Sequence, residues 1–360
     1  MSRLALEPQQ DVALETLHSF ALPAQAAYFV EIHQAEQILQ LGQLPFWSWE
    51  TLRILGEGSN LLFLDDVADY LIKMCIRGID VTQLQVELGE NPQQVLIKAG
   101  AGENWDYFVN WTLSHGFFGL ENLSAIPGSV GASPIQNIGA YGVEVADSIE
   151  RVQVYDYHMP DRGLFWVRKS DCQFCYRDSL FKHEWSHRII VQVEFRLSKF
   201  FKPVLQYAGL SQLTGSVDAH MVRQQVIELR AAKLPDPAKI PNAGSFFKNP
   251  IVDELHLTML QQQYPSLVFY QDDQLEQTQY KLPAAWLLDF AGFKGRWYQE
   301  FGCYSEQPLV LIHDKTQRSL LSIKKHRLLA FIDEIRTTIQ TLFAIDLEIE
   351  PTLVISKNKL

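Results

Sequence analysis

Ser245 is the residue most open to a catalytic interpretation, because it lies between a glycine and two phenylalanines in PNAGSFFKNP. Its surroundings do not form the G-x-S-x-G turn that carries the nucleophilic serine of many hydrolases. The nearest histidines in the sequence, His220 and His256, follow no recognisable catalytic-triad pattern. From the local sequence alone, a serine in a turn is the commoner case.

Two glycine-rich stretches point to a second kind of chemistry, the binding of phosphate. One is GEGSNL, with Gly56, Gly58, Ser59 and Asn60, and the other runs over residues 116–145. Glycine lets backbone N–H groups approach an anion closely, so such turns suit a pyrophosphate. Each turn alone is more typical of ordinary chain reversal, but together they favour a bound dinucleotide. The second stretch contributes Gly119, Gly128, Ser129, Gly131, Gln136, Asn137, Gly139 and Gly142.

Neither G-x-G element meets the conditions for a Rossmann dinucleotide site. GEGSNL lacks the third glycine and continues into an apolar strand. GAGENW follows a strand and opens a helix, but Trp105 stands where the third glycine is needed. We therefore expect the dinucleotide to be bound by a fold other than the Rossmann fold.

The composition is that of a large folded protein, since 47% of the 360 residues are hydrophobic and 20% are charged. This length suggests two or three domains. The net charge of −11 argues against a nucleic-acid partner. The N-terminus has no signal-peptide pattern and no run approaches the ~18 apolar residues of a membrane helix, so we expect a cytoplasmic protein without a membrane partner. Cys172 and Cys175 form a C-x-x-C without a second pair, and we expect them to be structural.

Strand-like and helix-like stretches alternate along the chain. Strands are predicted on both sides of the glycine turn in TLRILGEGSNLLFLDD, and in QVLIKAG, ERVQVYDY, RIIVQVEFRLS and IDLEIEP. Helical spacing occurs in YFVEIHQAEQILQLGQLP, after GAGEN, and over residues 217–232 and 318–343. Trp105, Phe108, Val109 and Thr112 are expected on one helix face. The prolines of AAKLPDP indicate a linker or domain boundary.

Six motifs, in order and spacing, resemble the UDP-N-acetylenolpyruvoylglucosamine reductase family. They are GEGSNLLF, GLENLSAIPGSVGASPIQNIGAYG, YRDSLFK, RAAKLPDP, NAGSFFKNP and LEIEP. The resemblance implies an α+β fold class: a two-lobed FAD-binding fold of vanillyl-alcohol-oxidase (PCMH) type plus a C-terminal α/β substrate-binding domain. The domains it implies are residues 1–85 as FAD-binding lobe 1, joined by the C-terminal strand 345–360, residues 86–232 as lobe 2, and residues 233–344 as the substrate-binding domain.

The resemblance also implies a reaction in peptidoglycan precursor synthesis. NADPH would reduce a non-covalently bound FAD, and hydride would then pass to the terminal vinyl carbon of UDP-N-acetyl-3-O-(1-carboxyvinyl)-glucosamine, giving UDP-N-acetylmuramate. Negative charge would develop on the adjoining carbon and its carboxylate, so the site needs a stabiliser and a proton donor. The implied partners are NADPH and the nucleotide sugar, the protein would be a monomer, and no metal is expected.

Three residues match the family's catalytic positions. Arg177 would face the carboxylate, since its planar fork carries a permanent charge. Glu350 would assist if it were protonated or hydrogen-bonded, hence with a raised pKa, and Glu348 remains an alternative. Ser245 would deliver the proton. Taken singly, an arginine such as Arg177 more usually forms a surface ion pair, and a glutamate such as Glu350 more usually lies on the solvated side of an edge strand.

Further residues match positions that contact the ligands. For the cofactor they are Gly56, Gly58, Ser59, Asn60, Ile126, Gly128, Ser129, Gly131, Ala132, Gln136, Asn137, Gly139 and Arg230. For the substrate they are Tyr141, Tyr207, Lys233, Asn249, Tyr270, Lys294 and Gln307. Tyr207 resembles the tyrosine that closes over the substrate in one family subtype. Thr352 stands where the family often has an arginine, so one positive charge is missing there.

Two other functions remain open at this stage. A flavin oxidase of the same fold would consume oxygen and would not need NADPH. A non-catalytic nucleotide-sugar-binding protein would carry the fold without redox turnover.

Overall fold

The structure is a computed structural model that describes residues 6–83, 93–271 and 276–355. The chain divides into two compact units. Unit 1 comprises Met1–Val12, Ala26–Gly58 and Ala68–Arg230, and unit 2 comprises Ala13–Gln25, Ser59–Val67 and Ala231–Leu360. The division into three domains stays a prediction.

Strands and helices alternate through the described residues, so the predicted mixture of α and β structure is confirmed. The strands are β1 (Gln9–Ala13), β2 (Gln25–Ile32), β3 (Arg53–Leu55), β4 (Leu61–Phe63), β5 (Val67–Met74), β6 (Ile79–Gln83), β7 (Gln94–Gly100), β8 (Gly139–Ala140), β9 (Val143–Glu144), β10 (Ile149–Asp156), β11 (Leu164–Arg168), β12 (Arg188–Ser198), β13 (Asn242–Ser245), β14 (Ile251–Asp253), β15 (Gln279–Lys281), β16 (Trp297–Tyr298), β17 (Phe301–Cys303), β18 (Val310–His313) and β19 (Thr352–Val354). The α-helices are α1 (Trp105–Ser114), α2 (Ala219–Lys233), α3 (Glu254–Gln263), α4 (Ala284–Phe290) and α5 (Leu321–Phe343).

The described residues of unit 1 form two larger sheets and the short strand pair β8-β9. The described strands pair in the orders β1-β2-β5-β3 and β11-β10-β12-β7-β6. β12 lies inside the second sheet, and its run of β-branched and aromatic residues is largely buried, as expected for a strand with neighbours on both sides. α1 packs beside this sheet through Trp105, Phe108, Val109 and Thr112, so the predicted buried face is confirmed. The Asn104 side chain caps α1 by accepting from the Tyr107 N–H at 2.9 Å.

Unit 2 contains the sheet β13-β18-β17-β16, two strand pairs and the long helix α5. α5 buries Leu328, Phe331, Ile335, Ile339 and Phe343 at helical spacing. These side chains join one apolar cluster with the two phenylalanines that follow Ser245. The strand that carries Ser245 is therefore anchored directly in the core of its unit.

The predicted helices at 217–232 and 318–343 are confirmed as α2 and α5, but two other expectations were wrong. The helical spacing at Ala35–Gln43 forms a 3-10 helix. IDLEIEP is not a continuous strand: Ile349 forms an isolated bridge to Phe247, and β19 begins only at Thr352. Pro351 lacks a backbone N–H, which interrupts the ladder between these two pieces.

A buried histidine in unit 2 has a large pKa shift. His313, at the end of β18, is 2% exposed, and its ring packs against those of Phe20 and Phe301, with centroids 5.8 and 5.2 Å away. Its Nδ1 lies 3.0 Å from the Phe20 carbonyl oxygen, and its Nε2 accepts a hydrogen bond from Lys324 Nζ at 2.7 Å. Burial, followed by the Lys324 ammonium, lowers the pKa of His313 to about 4. The imidazole is therefore neutral throughout the physiological range.

This shift predicts that unit 2 loses stability on mild acidification. The unfolded chain takes up a proton at its ordinary pKa of 6.5 but the folded chain only near 4, so stability is full above 6.5 and declines between the two. The decline should reach about 3 kcal/mol by linkage. We expect His313→Gln, which keeps an acceptor for Lys324, to reduce this slope in denaturant unfolding measured from pH 4 to 6.5, leaving the share of buried His18, whose pKa is also lowered by burial. An unchanged slope would contradict the assignment.

Candidate functional site

Three glycine-containing backbone segments of unit 1 are packed against one another. The Gly131 N–H donates to the Ala101 carbonyl at 2.9 Å, and the Trp105 N–H donates to the Gly128 carbonyl at 2.9 Å. A Cβ on Gly131 would lie 2.5 Å from the Ala101 Cβ, and one on Gly56 would lie 2.6 Å from Ser129 Oγ. Gly131 therefore approaches the Ala101 backbone at a distance that only glycine permits, and Gly56 lies directly against the Ser129 hydroxyl.

The same region carries a positive charge and left-handed backbone. Lys73 donates to the Gly56 carbonyl, which places an ammonium group beside the GEGSNL turn. Gly58 has φ 71 and Gly128 has φ 138, conformations that favour glycine. This close-packed, glycine-lined backbone next to a cation suits the diphosphate of a dinucleotide. The residues present thus fit an FAD cofactor.

The Gly131 contact gives a stability prediction. We expect Gly131→Ala to destabilise unit 1 by about 1–3 kcal/mol, because the added methyl meets the Ala101 backbone and neither segment can move independently. It should also lower the amount of FAD that co-purifies. Gly42→Ala is the matched control, since its Cβ would only touch the Trp49 ring at 3.8 Å. Equal unfolding midpoints for the two variants would refute this interpretation.

A second group of predicted residues, around Arg230, also lies within unit 1. Arg230 Nε donates to the Ala125 carbonyl at 3.1 Å, and its guanidinium interacts electrostatically with the Tyr141 hydroxyl. Burial lowers the pKa of Arg230, and the charge of Arg177 lowers it further. Burial raises the pKa of Tyr141 despite the opposing influence of Arg230. Tyr207 packs edge-on against Tyr141 with ring centroids 4.9 Å apart, so four predicted ligand contacts are neighbours.

The segment beside this group is fixed by an ion pair that the sequence did not reveal. Asp106 accepts the Ala125 N–H at 2.6 Å and forms two hydrogen bonds with Arg223, at 2.6 and 2.9 Å. Burial acts to raise the pKa of Asp106, but Arg223 and the Ala125 N–H outweigh it and leave the pKa lowered. Ala125 has φ 57 and directly precedes Ile126, so this pair holds the entry to the predicted cofactor turn.

Ser245 is the last residue of β13 in unit 2, opposite Val310. Gly244 before it has φ 72, and the Gly244 N–H donates to the Asn242 side chain at 3.0 Å. The Asn242 amide also donates to the carbonyls of Pro235 and Ile240, at 3.2 and 2.8 Å. A buried asparagine therefore fixes the backbone that presents the Ser245 hydroxyl.

The chain after Ser245 pairs with the segment that carries both candidate glutamates. The Glu350 N–H donates to the Phe246 carbonyl at 2.9 Å, and the Lys248 N–H donates to the Glu348 carbonyl at 2.9 Å. Glu348 is largely exposed and its carboxylate lies 2.5 Å from Lys248 Nζ. Glu350 is half-buried, and its backbone pairs with Phe246, the residue that follows Ser245. The geometry favours Glu350 over Glu348 as the partner of the serine.

The other predicted residues of unit 2 are more widely distributed. Asn249 accepts the Ala284 N–H at 2.9 Å, at the start of α4. Tyr270 exchanges backbone hydrogen bonds with Lys281, and Lys294 lies 3.6 Å from Asp289. Gln307 and Lys233 lie in the turn before β18 and at the end of α2. Of the predicted cofactor residues, Ser59 and Asn60 also belong to unit 2, where the Thr352 N–H donates to the Asn60 carbonyl at 3.0 Å.

All four cysteines lie in the described residues and are free thiols. Cys172 is buried, its Sγ donates to the Arg168 carbonyl at 3.2 Å, and burial raises the pKa of its thiol to about 12. Within the part of the chain that the structure describes, two sets of potential metal ligands occur: Glu31, His33 and Cys75, and Asp156, His158 and His187. The Asp156 carboxylate in the second set already contacts Arg188 at 3.0 Å, which disfavours a cation there. A site without a metal stays a prediction.

The chain is similar to known proteins over both parts of its length. Residues 26–158 match a family model described as an FAD binding domain. Residues 236–354 match a model described as the C-terminal domain of UDP-N-acetylenolpyruvoylglucosamine reductase. A Pseudoalteromonas atlantica protein called UDP-N-acetylenolpyruvoylglucosamine reductase is 40% identical over 369 residues, covering 100% of this chain and 99% of the relative. A Pseudomonas fluorescens protein of the same name is 37% identical, covering 97% and 100%.

A solved structure supports the fold. The crystal structure of UDP-N-acetylenolpyruvylglucosamine reductase from Thermus caldophilus aligns with a TM-score of 0.63 at 19% identity, over 97% of this chain and 99% of that chain. The predicted fold class, an FAD-binding fold followed by a reductase C-terminal domain, is confirmed.

The FAD-binding domain and the reductase relatives together define an FAD-dependent oxidoreductase. The chain belongs to the UDP-N-acetylenolpyruvoylglucosamine reductase family, which acts in peptidoglycan precursor synthesis on a nucleotide sugar with NAD(P)H as reductant. Within the described residues, no helix combines the length and the apolar character needed to cross a membrane.

Proposed function

We propose that this protein reduces UDP-N-acetyl-3-O-(1-carboxyvinyl)-glucosamine to UDP-N-acetylmuramate with NADPH as the hydride donor, and that Arg177, Glu350 and Ser245 carry the catalytic roles. When bound, FAD supplies the two-electron chemistry, accepting hydride from NADPH and giving it to the terminal vinyl carbon. The observation that carries the proposal is the backbone pairing of residues 246–248 with 348–350, which brings Ser245 and Glu350 together in one unit.

Ser245 acts as a general acid in this proposal. After hydride addition, the carbon next to the carboxylate carries the negative charge, and the Ser245 hydroxyl gives its proton to that carbon. The C=C bond is consumed, one C–H bond is formed by hydride and one by the proton, and the serine recovers its proton from water. No covalent bond between Ser245 and the substrate is formed.

In this proposal Arg177 stabilises the developing charge, and Glu350 contributes in its protonated or hydrogen-bonded form, since an ionised carboxylate would repel that charge. The guanidinium of Arg177 binds the substrate carboxylate with two parallel N–H donors. Glu350 supports Ser245 from the paired segment, with Glu348 held away by Lys248. The predicted contacts of Tyr141, Tyr207, Lys233, Asn249, Tyr270, Lys294 and Gln307 then serve the uridine diphosphate sugar. The predicted cofactor residues, from Gly56 to Arg230, serve FAD.

The proposal extends to the state of the protein in the cell. We propose a cytoplasmic monomer, in line with the acidic net charge and a nucleotide-sugar substrate. Analytical ultracentrifugation of the FAD-loaded protein at micromolar concentration tests the monomer, and sedimentation as a dimer would refute that part alone.

The stoichiometry of turnover tests the reaction. We expect one NADPH to be consumed for each UDP-N-acetylmuramate formed, measured by absorbance and by mass spectrometry, with no oxygen uptake at an oxygen electrode. NADPH consumption that follows oxygen uptake, without formation of the reduced nucleotide sugar, would instead identify a flavin oxidase. A purified protein that takes up no FAD at all would favour the non-catalytic alternative.

A further inference from the structure

Arg177 lies in a tight turn with an unfavourable backbone conformation. Cys175 and Asp178 close the turn through two backbone hydrogen bonds of 3.1 Å, each N–H donating to the other residue's carbonyl. Arg177 between them has φ 54, in the left-handed region that arginine rarely adopts. Such a conformation persists only where the surrounding structure enforces it.

Asn137 provides the enforcing contact. Its side chain is fully buried, and its amide nitrogen donates to the Cys175 carbonyl at 3.1 Å and to the Glu144 carboxylate at 2.5 Å. Its amide oxygen accepts the Ala146 N–H at 3.0 Å. A flipped amide would set oxygen against the Cys175 and Glu144 oxygens, so this orientation is the one the partners permit. Both N–H groups of Asn137 are thus committed within the protein.

The guanidinium of Arg177 rests on the same small ribbon that Asn137 braces. Arg177 Nη2 donates to the Gly139 carbonyl at 2.5 Å, and Gly139 in β8 pairs with Glu144 in β9. A Cβ on Gly139 would lie 2.8 Å from Arg177 Nη1, so glycine is required for this approach. Asn137 therefore fixes both the turn that carries Arg177 and the surface that orients its charge.

A second side-chain hydrogen bond holds the C-terminal end of the Arg177 turn. Ser179 is 2% exposed, and its Oγ donates to the Ile135 carbonyl at 2.6 Å. Ile135 and Asn137 belong to one stretch of chain, so both ends of the Arg177 turn are attached to it.

We infer that Asn137 is a positioning residue for Arg177, and that recognition of the carboxylate on the sugar nucleotide depends on it. The identity of that anion rests on the proposed function. The inference revises the role that the resemblance implied for the Asn137 side chain, from a cofactor contact to the support of an arginine. Removal of the Asn137 side chain should weaken recognition of the substrate carboxylate more than it weakens FAD binding.

Asn137→Gly is the test variant, because glycine accepts the φ of 45 at this position and only the side chain is lost. Gln173→Gly is the matched control: Gln173 has φ 48, is exposed and precedes the same turn. Calorimetry on the FAD-loaded proteins would compare UDP-N-acetylmuramate, which has the carboxylate, with UDP-N-acetylglucosamine, which lacks it.

We expect the preference of the wild type for UDP-N-acetylmuramate to fall about tenfold or more in Asn137→Gly, as for a misplaced binding group, and to persist in Gln173→Gly. In an Arg177→Lys background, Asn137→Gly should add little, because the group it positions is already altered. A preference unchanged in Asn137→Gly, or losses that simply add, would overturn the inference.

Two further outcomes are distinguishable. If the wild type itself binds both nucleotides equally, the proposed function fails, whatever Asn137 does. If Asn137→Gly does not fold, Ser179→Ala decides: a smaller loss of the same preference supports the inference, and an unchanged preference contradicts it.

Discussion

Ser245→Ala is expected to lower the rate at which the enolpyruvyl nucleotide reoxidises the reduced enzyme by ~10²–10⁴-fold, the usual contribution of a general acid. The charge left after hydride addition would have no nearby proton. FAD content and the rate of bleaching by NADPH should remain close to those of the wild type, because the predicted flavin contacts do not include this hydroxyl. Stopped-flow absorbance of the flavin separates the two half-reactions.

Ser245→Cys should keep more activity than Ser245→Ala, because a thiol can also give up a proton. Ser322→Ala, at an exposed position on α5, is the control for the loss of a serine hydroxyl in unit 2. Reoxidation of Ser245→Ala within a few-fold of wild type would remove Ser245 as the acid and leave Lys233 or a bound water as the candidate.

Arg177→Lys is the second large expected effect. We expect reoxidation by the substrate to slow by about 10²–10³-fold, the range for loss of an oxyanion-stabilising donor. A lysine ammonium is a point charge, so it cannot reproduce the planar fork on a carboxylate. It would also lose the hydrogen bond to the Gly139 carbonyl that orients the guanidinium.

The comparison of half-reactions again discriminates between explanations. Bleaching by NADPH should be affected far less than reoxidation in Arg177→Lys. Arg168→Lys, an exposed change on β11, should alter neither. Equal losses in both half-reactions of Arg177→Lys would point to a general folding role for the arginine.

Much of the architecture follows from local patterns in the sequence. The helix with Trp105, Phe108, Val109 and Thr112 on one face was predictable because apolar periodicity and an Asn cap agree there. The strands β7, β10 and β12 of the second sheet were predictable because their residue patterns are typical of strands. The glycine turns at Gly56 and Gly131 indicated close backbone approach, and the structure places backbone or side-chain atoms where their Cβ atoms would be.

What the sequence could not predict depends on partners distant along the chain. β3 and β4 flank the glycine turn as predicted, yet they do not pair with each other: β3 pairs with β5, and β4 with β19. Our proposal prefers Glu350 to Glu348 because of the Lys248–Glu348 contact, which the sequence does not show. Asn137 was singled out because it lies in a glycine-rich stretch. Its hydrogen bond to Cys175 spans 38 residues, however, and no local sequence pattern predicts that bond.

Besides the Asp106–Arg223 ion pair, the sequence analysis missed two buried asparagines whose side chains hydrogen-bond backbone groups. Asn122 donates to the carbonyls of Tyr141 and Val204, at 2.8 and 2.9 Å, and Asn242 braces the turn before Ser245. Each asparagine lies among apolar or small residues in the sequence, which indicates a buried amide, and a buried amide must be hydrogen-bonded. The signal predicts that a contact exists but not its partner.

An anaerobic colour cycle tests the central claim most directly. The purified protein should be yellow, NADPH should bleach it, and UDP-N-acetyl-3-O-(1-carboxyvinyl)-glucosamine should restore the colour without oxygen, with UDP-N-acetylmuramate as the product. UDP-N-acetylglucosamine, which lacks the vinyl group, should leave the protein bleached. A bleached protein that only oxygen can recolour would contradict the assignment of this chain as the reductase.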